Sequence, residues 1–334
     1  MIKIPIAKCQ ENIRSLLRRQ GHNTHDSEII SSVLMYAELR GNNQGIIKLI
    51  SRHLLPSTDS KPIQKLFDTP VSAKYDGNQN IGMVAVHHCV EDAIKKAKIS
   101  GISIVGVSNY SSATGALGHW AKRIASEDLI GIVMSQCPEY VAPHGSFEPI
   151  FGTNPIAIGI PTLPRPQVLD MATSATAYYA LVTAEREGRP IPCDVAVDAA
   201  GRPTTDPAAA LRGALLPFDR GHKGSHLGLM VELLAGALTG ASMEDKAAAR
   251  NWGSVVVAID PRVLGHDNLE AFRARAAVMC ARVKGAKRLP DSPPGEEIYL
   301  PGERGDLAEA AHLAAGVISV SAATYNELLR QLES

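Results

Sequence analysis

A tight bend between two apolar segments carries the first side chains that suggest chemistry. The stretch is AELRGNNQGIIKLI, from Ala37 to Ile50, and its centre places Asn43 and Gln44 between two glycines. Amide side chains donate and accept hydrogen bonds, but they carry no exchangeable charge at neutral pH. One cation, Lys48, follows in the apolar tail. The bend is therefore predicted to bind and orient a ligand rather than to exchange protons with it.

Two further segments have the residue types of anion sites. The strand-like ISIVGVSN runs into YSSATGALGHW, where hydroxyl-bearing and small residues occupy the entrance of a helix. Free backbone N–H groups there suit a phosphate, although the same residue types are ordinary helix caps. In DRGHKGSHLG, Lys223 lies at a helix start, where the helix dipole disfavours a cation unless an anion binds beside it. The alternative for Lys223 is a solvated lysine on a turn.

A loop rich in glycine and proline supplies a candidate hydroxyl. The run PHGSFEPIFGTNPIAIGIP places Thr153 and Asn154 directly before a predicted strand. Such a loop can present a hydroxyl group to a carboxylate.

Three histidines are weaker candidates. His87 and His88 flank a predicted helix start, and we interpret both as structural because lone histidines usually satisfy local hydrogen bonds. His119 lies on the predicted helix GALGHWAKR, and the pattern leaves open whether it faces a cleft or the surface.

Composition narrows the class of partner. Lysine plus arginine and aspartate plus glutamate both number 34 in 334 residues, so the net charge is zero and nothing favours nucleic acid or a membrane surface. The five cysteines are scattered and form no CxxC pair, which predicts reduced thiols, no metal site and a cytoplasmic location. A small-molecule ligand remains the expected partner.

The elements that must position these residues follow an α/β pattern. Two helices are predicted near the N-terminus, the second capped by Asp26 and ending at Gly41. From about Val90 onward, predicted helices alternate with strands, and a long apolar helix runs from about Lys223 to Thr239. The G-x-G-x-x-G signature is missing from any strand-to-helix context, which argues against a doubly wound dinucleotide domain.

Several loop motifs occur together and in order along most of the chain. They are PHGSFEPIFGTNPIAIGIP, LDMATS, VDAAGRPTTDP, ALLPFDRGHKGSHLGLMVELLAGALTG and YLPGERG. This set resembles the malate/L-lactate dehydrogenase-like family of NAD(P)-dependent oxidoreductases. Within it, EREGRPIP and GHKGS are most similar to the Δ1-piperideine-2-carboxylate/Δ1-pyrroline-2-carboxylate reductases.

The resemblance implies a fold, an assembly and a set of site residues. It implies an α/β fold with a mixed sheet, a helical N-terminal region (1–70) packing with the C-terminal helices, a central cofactor and substrate region (71–250), and a final strand with helices (251–334). It also implies a homodimer with sites near the interface and NADPH or NADH as cofactor. Substrate carboxylate contacts fall on Lys48 and Thr153. Cofactor contacts fall on Ala113, Thr114, Gly115, Ala116, Leu117, Asp170, Met171, Ala172, His222, Lys223, Gly302, Glu303 and Arg304.

The chain departs from the family pattern at ionisable positions. Typical relatives read Ser-His-Gly at the bend, with the histidine as proton donor, whereas this chain reads Asn43-Gln44-Gly45. A second family histidine corresponds to Ala113, and the aspartate that assists the donor in the imine reductases corresponds to Ala180. The family's carboxylate-binding arginine is Lys48 here.

Three functions are compatible with this pattern. The first is an NAD(P)H-dependent reductase of a small α-imino carboxylate, in which Asn43 and Gln44 hold the reacting group. An iminium nitrogen is already protonated, so such a reductase needs no acid. The second is a 2-hydroxy acid dehydrogenase that uses a replacement acid, such as His119 or a water molecule. The third is a catalytically silent family member that acts as a binding protein.

Overall fold

The computed structural model describes residues 1–265, 268–291, 293 and 297–333. Its strands are β1 (Ile2–Pro5), β2 (Gln64–Asp68), β3 (Ser72–Asp76), β4 (Ile102–Tyr110), β5 (Ile130–Ser135), β6 (Ile156–Ile160), β7 (Gln167–Met171), β8 (Ala196–Val197), β9 (Ala214–Leu215), β10 (Trp252–Ile259) and β11 (Val317–Val320). Its α-helices are α1 (Ile6–Arg19), α2 (Thr24–Leu39), α3 (Ile46–Ile50), α4 (Gly82–Ser100), α5 (Leu117–Ala125), α6 (Tyr178–Arg186), α7 (Pro207–Arg212), α8 (His222–Val231), α9 (Lys246–Ala249), α10 (Leu269–Lys284), α11 (Glu303–Ala315) and α12 (Ala322–Glu333).

The centre of the molecule is a mixed sheet of seven strands in the order β2-β3-β4-β10-β5-β6-β7, counted over the described residues. The β3–β4 pair is parallel, and the other five pairs are antiparallel. This arrangement confirms the predicted α/β fold with a mixed sheet, and it differs from the mostly parallel sheet of a doubly wound domain.

Helices cover both faces of the sheet. On one face, α4 packs on β4, and α5 packs on β5 and β6. The apolar residues of that layer include Val86, Ala93, Trp120 and Ile124, all buried. On the other face, Val231 and Ala235 pack against Met134 of β5 and Val255 of β10. The close approach of α5 to β6 depends on Gly159, where a Cβ would lie 2.3 Å from a backbone oxygen of α5.

The two ends of the chain meet. Strand β1 pairs antiparallel with β11, with Ile2 opposite Val320, and α1 packs on α12. The prediction that helices open the chain was wrong in this detail, because β1 precedes α1. Strand β11 likewise interrupts the predicted run of C-terminal helices. The boundaries proposed at residues 70 and 250 remain a prediction.

Several helix ends also differ from expectation. The N-cap of α2 is Asn23 rather than Asp26, because the Asn23 side chain accepts a hydrogen bond from the Asp26 N–H at 2.9 Å. Gly41 does follow α2 in the left-handed region, with φ +70°. His87 and His88 lie inside α4 rather than at its start.

The long helix predicted over 223–239 changes type along its length. Helix α8 ends at Val231 and continues as a π-helical turn (Glu232–Gly236) and a 3₁₀ turn (Ala237–Thr239). No helix of the described residues is both long enough and apolar enough to cross a membrane.

Candidate active site

A cavity of about 680 Å³ lies between the helical N-terminal region and one end of the sheet. It contains twelve of the predicted site residues: Asn43, Gln44, Lys48, Ala113, Thr114, Gly115, Ala116, Leu117, Thr153, Asp170, Met171 and Ala172. Residues from four separate segments of the sequence therefore meet around one space. Whether each of them contacts a ligand stays a prediction.

The amide bend is held in shape by short-range hydrogen bonds. The Asn42 side chain accepts from the Gln44 N–H at 3.0 Å, and the Gln44 amide donates to Asn43 Oδ1 at 3.2 Å. Glu38 accepts from the Ile46 N–H at 2.5 Å, which caps the start of α3. Burial raises the pKa of Glu38 to about 7. The bend therefore enters the cavity from a fixed position between α2 and α3.

Gly45 is required at the end of the bend for steric reasons. A Cβ atom at this position would lie 2.3 Å from the Glu38 carboxylate. The glycine thus allows Glu38 to reach the Ile46 N–H, and the amides Asn43 and Gln44 stand immediately before it.

Lys48 is a buried cation with an aromatic partner. Its side chain lies on α3 and is 5% exposed, and its Nζ lies 4.2 Å from the centre of the Tyr179 ring. In the part of the chain that the structure describes, no carboxylate forms an ion pair with it. Burial lowers its pKa to about 8. A desolvated cation without a counter-ion favours an anionic ligand.

The predicted carboxylate-binding hydroxyl faces the same space. Thr153 Oγ1 lies 3.6 Å from Cys137 Sγ, and burial raises the pKa of that thiol. The next residue, Asn154, is fully buried and donates to Gly228 O at 3.0 Å and to Glu232 Oε2 at 2.6 Å. These bonds anchor the loop that carries Thr153.

A buried ion pair stands behind that loop. Glu232 and Lys246 are in contact at 2.8 Å, and both side chains are almost completely buried. Glu232 also accepts from Gln136, a residue of the cavity wall, at 2.6 Å. Glu232 belongs to the π-helical turn, so the change of helix type places its carboxylate against the wall of the site.

The strand-to-helix turn before α5 has the features of a phosphate cradle. Gly115 has φ +79°, and a Cβ there would lie 2.2 Å from Val33. Ala116 at the N-cap of α5 offers no side-chain acceptor, so among the described residues the Leu117 N–H at the start of this helix remains available to a ligand. The Gly118 N–H donates to Asp170 Oδ2 at 2.8 Å. Asp170 lines the cavity, and the protein around it raises its pKa to about 6, chiefly by desolvation. These residues fit a nicotinamide dinucleotide.

Two cavity residues were not foreseen. His53 Nδ1 and Tyr179 Oη lie 2.6 Å apart, and both residues line the cavity beside Lys48. Burial and then the Lys48 charge lower the pKa of His53. Helical or strand spacing could not predict that His53 lines the cavity, because His53 lies in a turn after the five-residue helix α3. Its partner Tyr179 lies on α6, far away in the sequence. The proximity of His53 to Lys48 in sequence was the available signal.

Five predicted cofactor residues are not part of the cavity wall. His222 and Lys223 begin α8, where His222 contacts the rings of His144 and His226. Gly302, Glu303 and Arg304 lie at the start of α11. Arg40 donates to the Gly302 carbonyl oxygen at 2.7 Å. Their contribution to cofactor binding stays a prediction.

The structure gives no support to His119 as the replacement acid that the sequence left open. It does not belong to the cavity wall, and its ring packs edge-on against Tyr36 and Trp120. Burial is the main reason why its pKa falls to about 4. For the second function, this leaves a water molecule or another residue of the cavity wall as the proton donor.

Comparison with known families decides the class of protein. Residues 4–329 match the malate/L-lactate dehydrogenase family. The chain belongs to this family. It is accordingly an oxidoreductase, and the family implies a nicotinamide cofactor.

Named relatives differ in their substrates. The chain is 36% identical over 288 residues to L-sulfolactate dehydrogenase of Methanothermobacter thermautotrophicus, covering 82% of this chain and 83% of the relative. It is 38% identical over 270 residues to Delta(1)-pyrroline-2-carboxylate reductase 1 of Burkholderia ambifaria, covering 77% and 75%. The solved malate dehydrogenase from Entamoeba histolytica superposes with a TM-score of 0.90 at 25% identity, covering 99% of this chain and 97% of that one.

Proposed function

We propose that this protein is an NAD(P)H-dependent reductase of a small α-imino carboxylate, with a cyclic imine such as Δ1-piperideine-2-carboxylate or Δ1-pyrroline-2-carboxylate as substrate. The observation that carries the proposal is the buried, unpaired Lys48 beside a bend whose side chains are amides. The relatives named as Delta(1)-pyrroline-2-carboxylate reductases support this substrate class.

Each wall of the cavity has a role in this reaction. Lys48 pairs with the substrate carboxylate, and the Thr153 hydroxyl donates to it. The amide oxygens of Asn43 and Gln44 accept hydrogen bonds from the iminium N–H, which a protonated histidine cannot do. The bound cofactor supplies hydride to the imine carbon. Because the nitrogen of an iminium is already protonated, hydride addition leaves a neutral amine and no oxyanion.

The cofactor is held by the strand-to-helix turn before α5 and by the end of β7. Ala113 to Leu117 and Asp170 to Ala172 line one continuous side of the cavity. The start of α5 ahead of Gly118, whose own N–H is taken by Asp170, binds a phosphate group, and the small side chains leave room for the backbone to approach it. We extend this surface to His222, Lys223 and Gly302 to Arg304 as outer contacts, and either NADPH or NADH is compatible with it.

A homodimer in the cytoplasm completes the proposal. We use the term α8 segment for α8 together with the π-helical and 3₁₀ turns that follow it, from His222 to Thr239. One side of this segment presents Met230, Leu233, Leu234 and Leu238 to solvent, each more than 40% exposed. Apolar side chains that recur every three or four residues on one helix face form a surface suited to a second copy. All five cysteines are free, which suits a reducing compartment.

The test is a comparison of initial rates of NADH and NADPH oxidation with Δ1-piperideine-2-carboxylate, pyruvate and oxaloacetate. We expect the imine to react far faster than either keto acid, and Gln44→His to narrow the difference by adding an acid at the bend. Turnover of keto acids without any imine activity would contradict the proposal.

A melting-temperature measurement with each cofactor addresses the catalytically silent alternative. If neither cofactor raises the melting temperature at concentrations well above a micromolar dissociation constant, cofactor binding is lost, since binding to the folded state alone stabilises it by a few kcal/mol. That result would favour a binding protein over both enzyme functions.

A further inference from the structure

The pair formed by His53 and Tyr179 has no role in the reduction of an iminium. His53 Nδ1 and Tyr179 Oη are 2.6 Å apart, which is a hydrogen-bond distance between an imidazole nitrogen and a hydroxyl group. The Tyr179 side chain is 8% exposed, whereas His53 is more than a third exposed and reaches solvent. One end of the pair is therefore enclosed by protein and the other is in contact with water.

The pair is adjacent to the proposed carboxylate site. Lys48 Nζ lies over the Tyr179 ring at 4.2 Å, so a substrate whose carboxylate pairs with Lys48 is held next to that tyrosine. In an α-keto carboxylate the reacting carbon is bonded directly to the carboxylate. Lys48 thus brings the reacting carbonyl close to the pair.

The backbone fixes both members of the pair. Ser112 Oγ donates to the carbonyl oxygen of His53, which ties the histidine to the strand-to-helix turn before α5. Ser112 has φ +69° and directly precedes Ala113, the position at which the family pattern has a histidine. Thr183 Oγ1 donates to the Tyr179 carbonyl oxygen at 2.8 Å within α6. The strand-to-helix turn before α5 therefore fixes the backbone of His53, and α6 fixes the backbone of Tyr179.

The geometry points to His53 and Tyr179 as a proton-delivery pair that acts when this cavity reduces an α-keto carboxylate, the type of reaction for which the family is named, in place of a histidine at the bend. This inference rests on the proposed function, because it uses the same cavity, carboxylate site and cofactor. It concerns a pair of side chains that lie outside the bend, where the family pattern has its donor.

The step balances with groups that the site contains. Hydride adds to the carbonyl carbon, the C–O π bond breaks, and its electron pair moves to oxygen. The Tyr179 hydroxyl proton transfers to that oxygen, the Nδ1–H of His53 reprotonates the tyrosine, and Nε2 takes a proton from solvent. The net change is one hydride and one proton added to the ketone, with one NAD(P)H oxidised. Burial and the neighbouring Lys48 charge lower the pKa of His53, which favours release of its proton, whereas burial raises the pKa of Tyr179 and keeps its hydroxyl protonated before the reaction.

An iminium substrate responds differently to loss of the pair. Its nitrogen needs no proton, so Tyr179 and His53 affect that reaction only through packing. A positioned acid contributes about 10² to 10⁴ in rate where an oxyanion develops. The ratio of keto-acid activity to imine activity therefore reports the proton-delivery role separately from any structural role.

Two conservative variants test the pair. Tyr179→Phe keeps the ring beneath Lys48 and removes only the hydroxyl, and His53→Asn places an amide N–H near the position of Nδ1 but cannot relay a proton. Tyr325→Phe and His25→Asn are matched controls outside the cavity. For the unmodified protein and the four variants, kcat with pyruvate and with Δ1-piperideine-2-carboxylate is measured, together with the solvent deuterium isotope effect and the melting temperature.

We expect the unmodified protein to reduce pyruvate slowly and with a solvent isotope effect. Both cavity variants should lower the ratio of pyruvate to imine activity by about 10² or more, while the control variants leave that ratio at the unmodified value. Equal loss of both activities would overturn the inference in favour of a structural pair. Imine turnover without any pyruvate turnover would also overturn it while leaving the proposed function intact. Pyruvate turnover that depends on the pair, without imine turnover, would refute the proposed function alone.

Discussion

Single residues decide what this site can protonate. The resemblance to the family implies ionisable groups at three positions where this chain has Gln44, Ala113 and Ala180. The structure brings His53 and Tyr179 into the same cavity from other segments. Loss of the family donor at the bend therefore does not leave the cavity without titratable groups. The cation of the site, Lys48, is also titratable near neutral pH, unlike the arginine that it replaces.

Substrate affinity should depend on pH through Lys48. Burial lowers its pKa to about 8 in the free protein, so the ammonium that binds a carboxylate is lost as the pH rises through that value. A bound carboxylate favours the charged form, so KM should rise about tenfold per pH unit above pH 8 while remaining level below it. Steady-state kinetics between pH 6.5 and 9.5 measure this.

Lys48→Arg is the control for this prediction. Arginine stays protonated across the range, so its KM should be level through pH 9.5, whatever its absolute value. A wild-type KM that is independent of pH, or a rise that Lys48→Arg retains, would show that Lys48 does not bind the carboxylate.

At the scale of the elements, the bend between α2 and α3 shows what sequence can and cannot predict. Helical periodicity and Gly41 predicted that the bend begins where a helix ends, and α2 does end at Leu39. Glu38 also contacts Gly45 and Ile46, which are close to it in sequence. Helical periodicity does not predict this contact, because it depends on where one side chain points after the helix ends. The amides therefore lie in a bend that is more constrained than its composition indicates.

Gly45→Ala should destabilise this bend. The added Cβ would lie 2.3 Å from the Glu38 carboxylate, and we expect a loss of about 1–3 kcal/mol with a higher KM for the substrate. Denaturant unfolding of Gly45→Ala, Glu38→Ala and the double variant forms a double-mutant cycle. Removal of the Glu38 carboxylate relieves the clash, so the two costs should be less than additive. Strict additivity would show that the contact with Glu38 is not what requires glycine.

The strands were predictable from the sequence in proportion to their length and burial. The buried strands β4, β5 and β10 follow apolar runs that are visible in the sequence. Strands β1 and β11 have four residues each and pair with each other from opposite ends of the chain, so neither carries a pattern of its own. Strand β2 is exposed along its whole length, which removes the periodic signal altogether. Long-range pairing, as for His53 with Tyr179, also lies beyond local patterns.

The whole molecule has the fold of its family, and one cavity brings together residues from distant parts of the chain. The mixed sheet and the match over residues 4–329 place the chain in the malate/L-lactate dehydrogenase family. One side of the cavity is formed by the strand-to-helix turn before α5, by the end of β7 and by the loop of Thr153. The bend and α3 complete it from the N-terminal region. The apolar side chains on the α8 segment lie outside this arrangement and concern assembly.

Assembly is predicted to depend on that apolar surface. Leu234 is 43% exposed among other apolar side chains of the α8 segment, and a charge buried there between two copies would carry a desolvation cost. Light scattering should give twice the 35.6 kDa mass of one chain for the unmodified protein and a single-chain mass for Leu234→Glu. Ile99→Glu, at another exposed apolar position, is the control and should remain dimeric. A dimeric Leu234→Glu protein would place the interface elsewhere.

The central claim is that this cavity transfers hydride from a nicotinamide cofactor to the imine carbon of a carboxylate substrate. Deuterium transfer measures this directly, with NAD(P)H deuterated at C4 on each face in turn, Δ1-piperideine-2-carboxylate as substrate, and mass spectrometry of the product. We expect one deuterium at C2 of the resulting pipecolate when the label is on one of the two cofactor faces. We also expect Lys48→Met to lose this product. Cofactor binding without any labelled pipecolate, or the same labelled yield from Lys48→Met, would contradict the central claim.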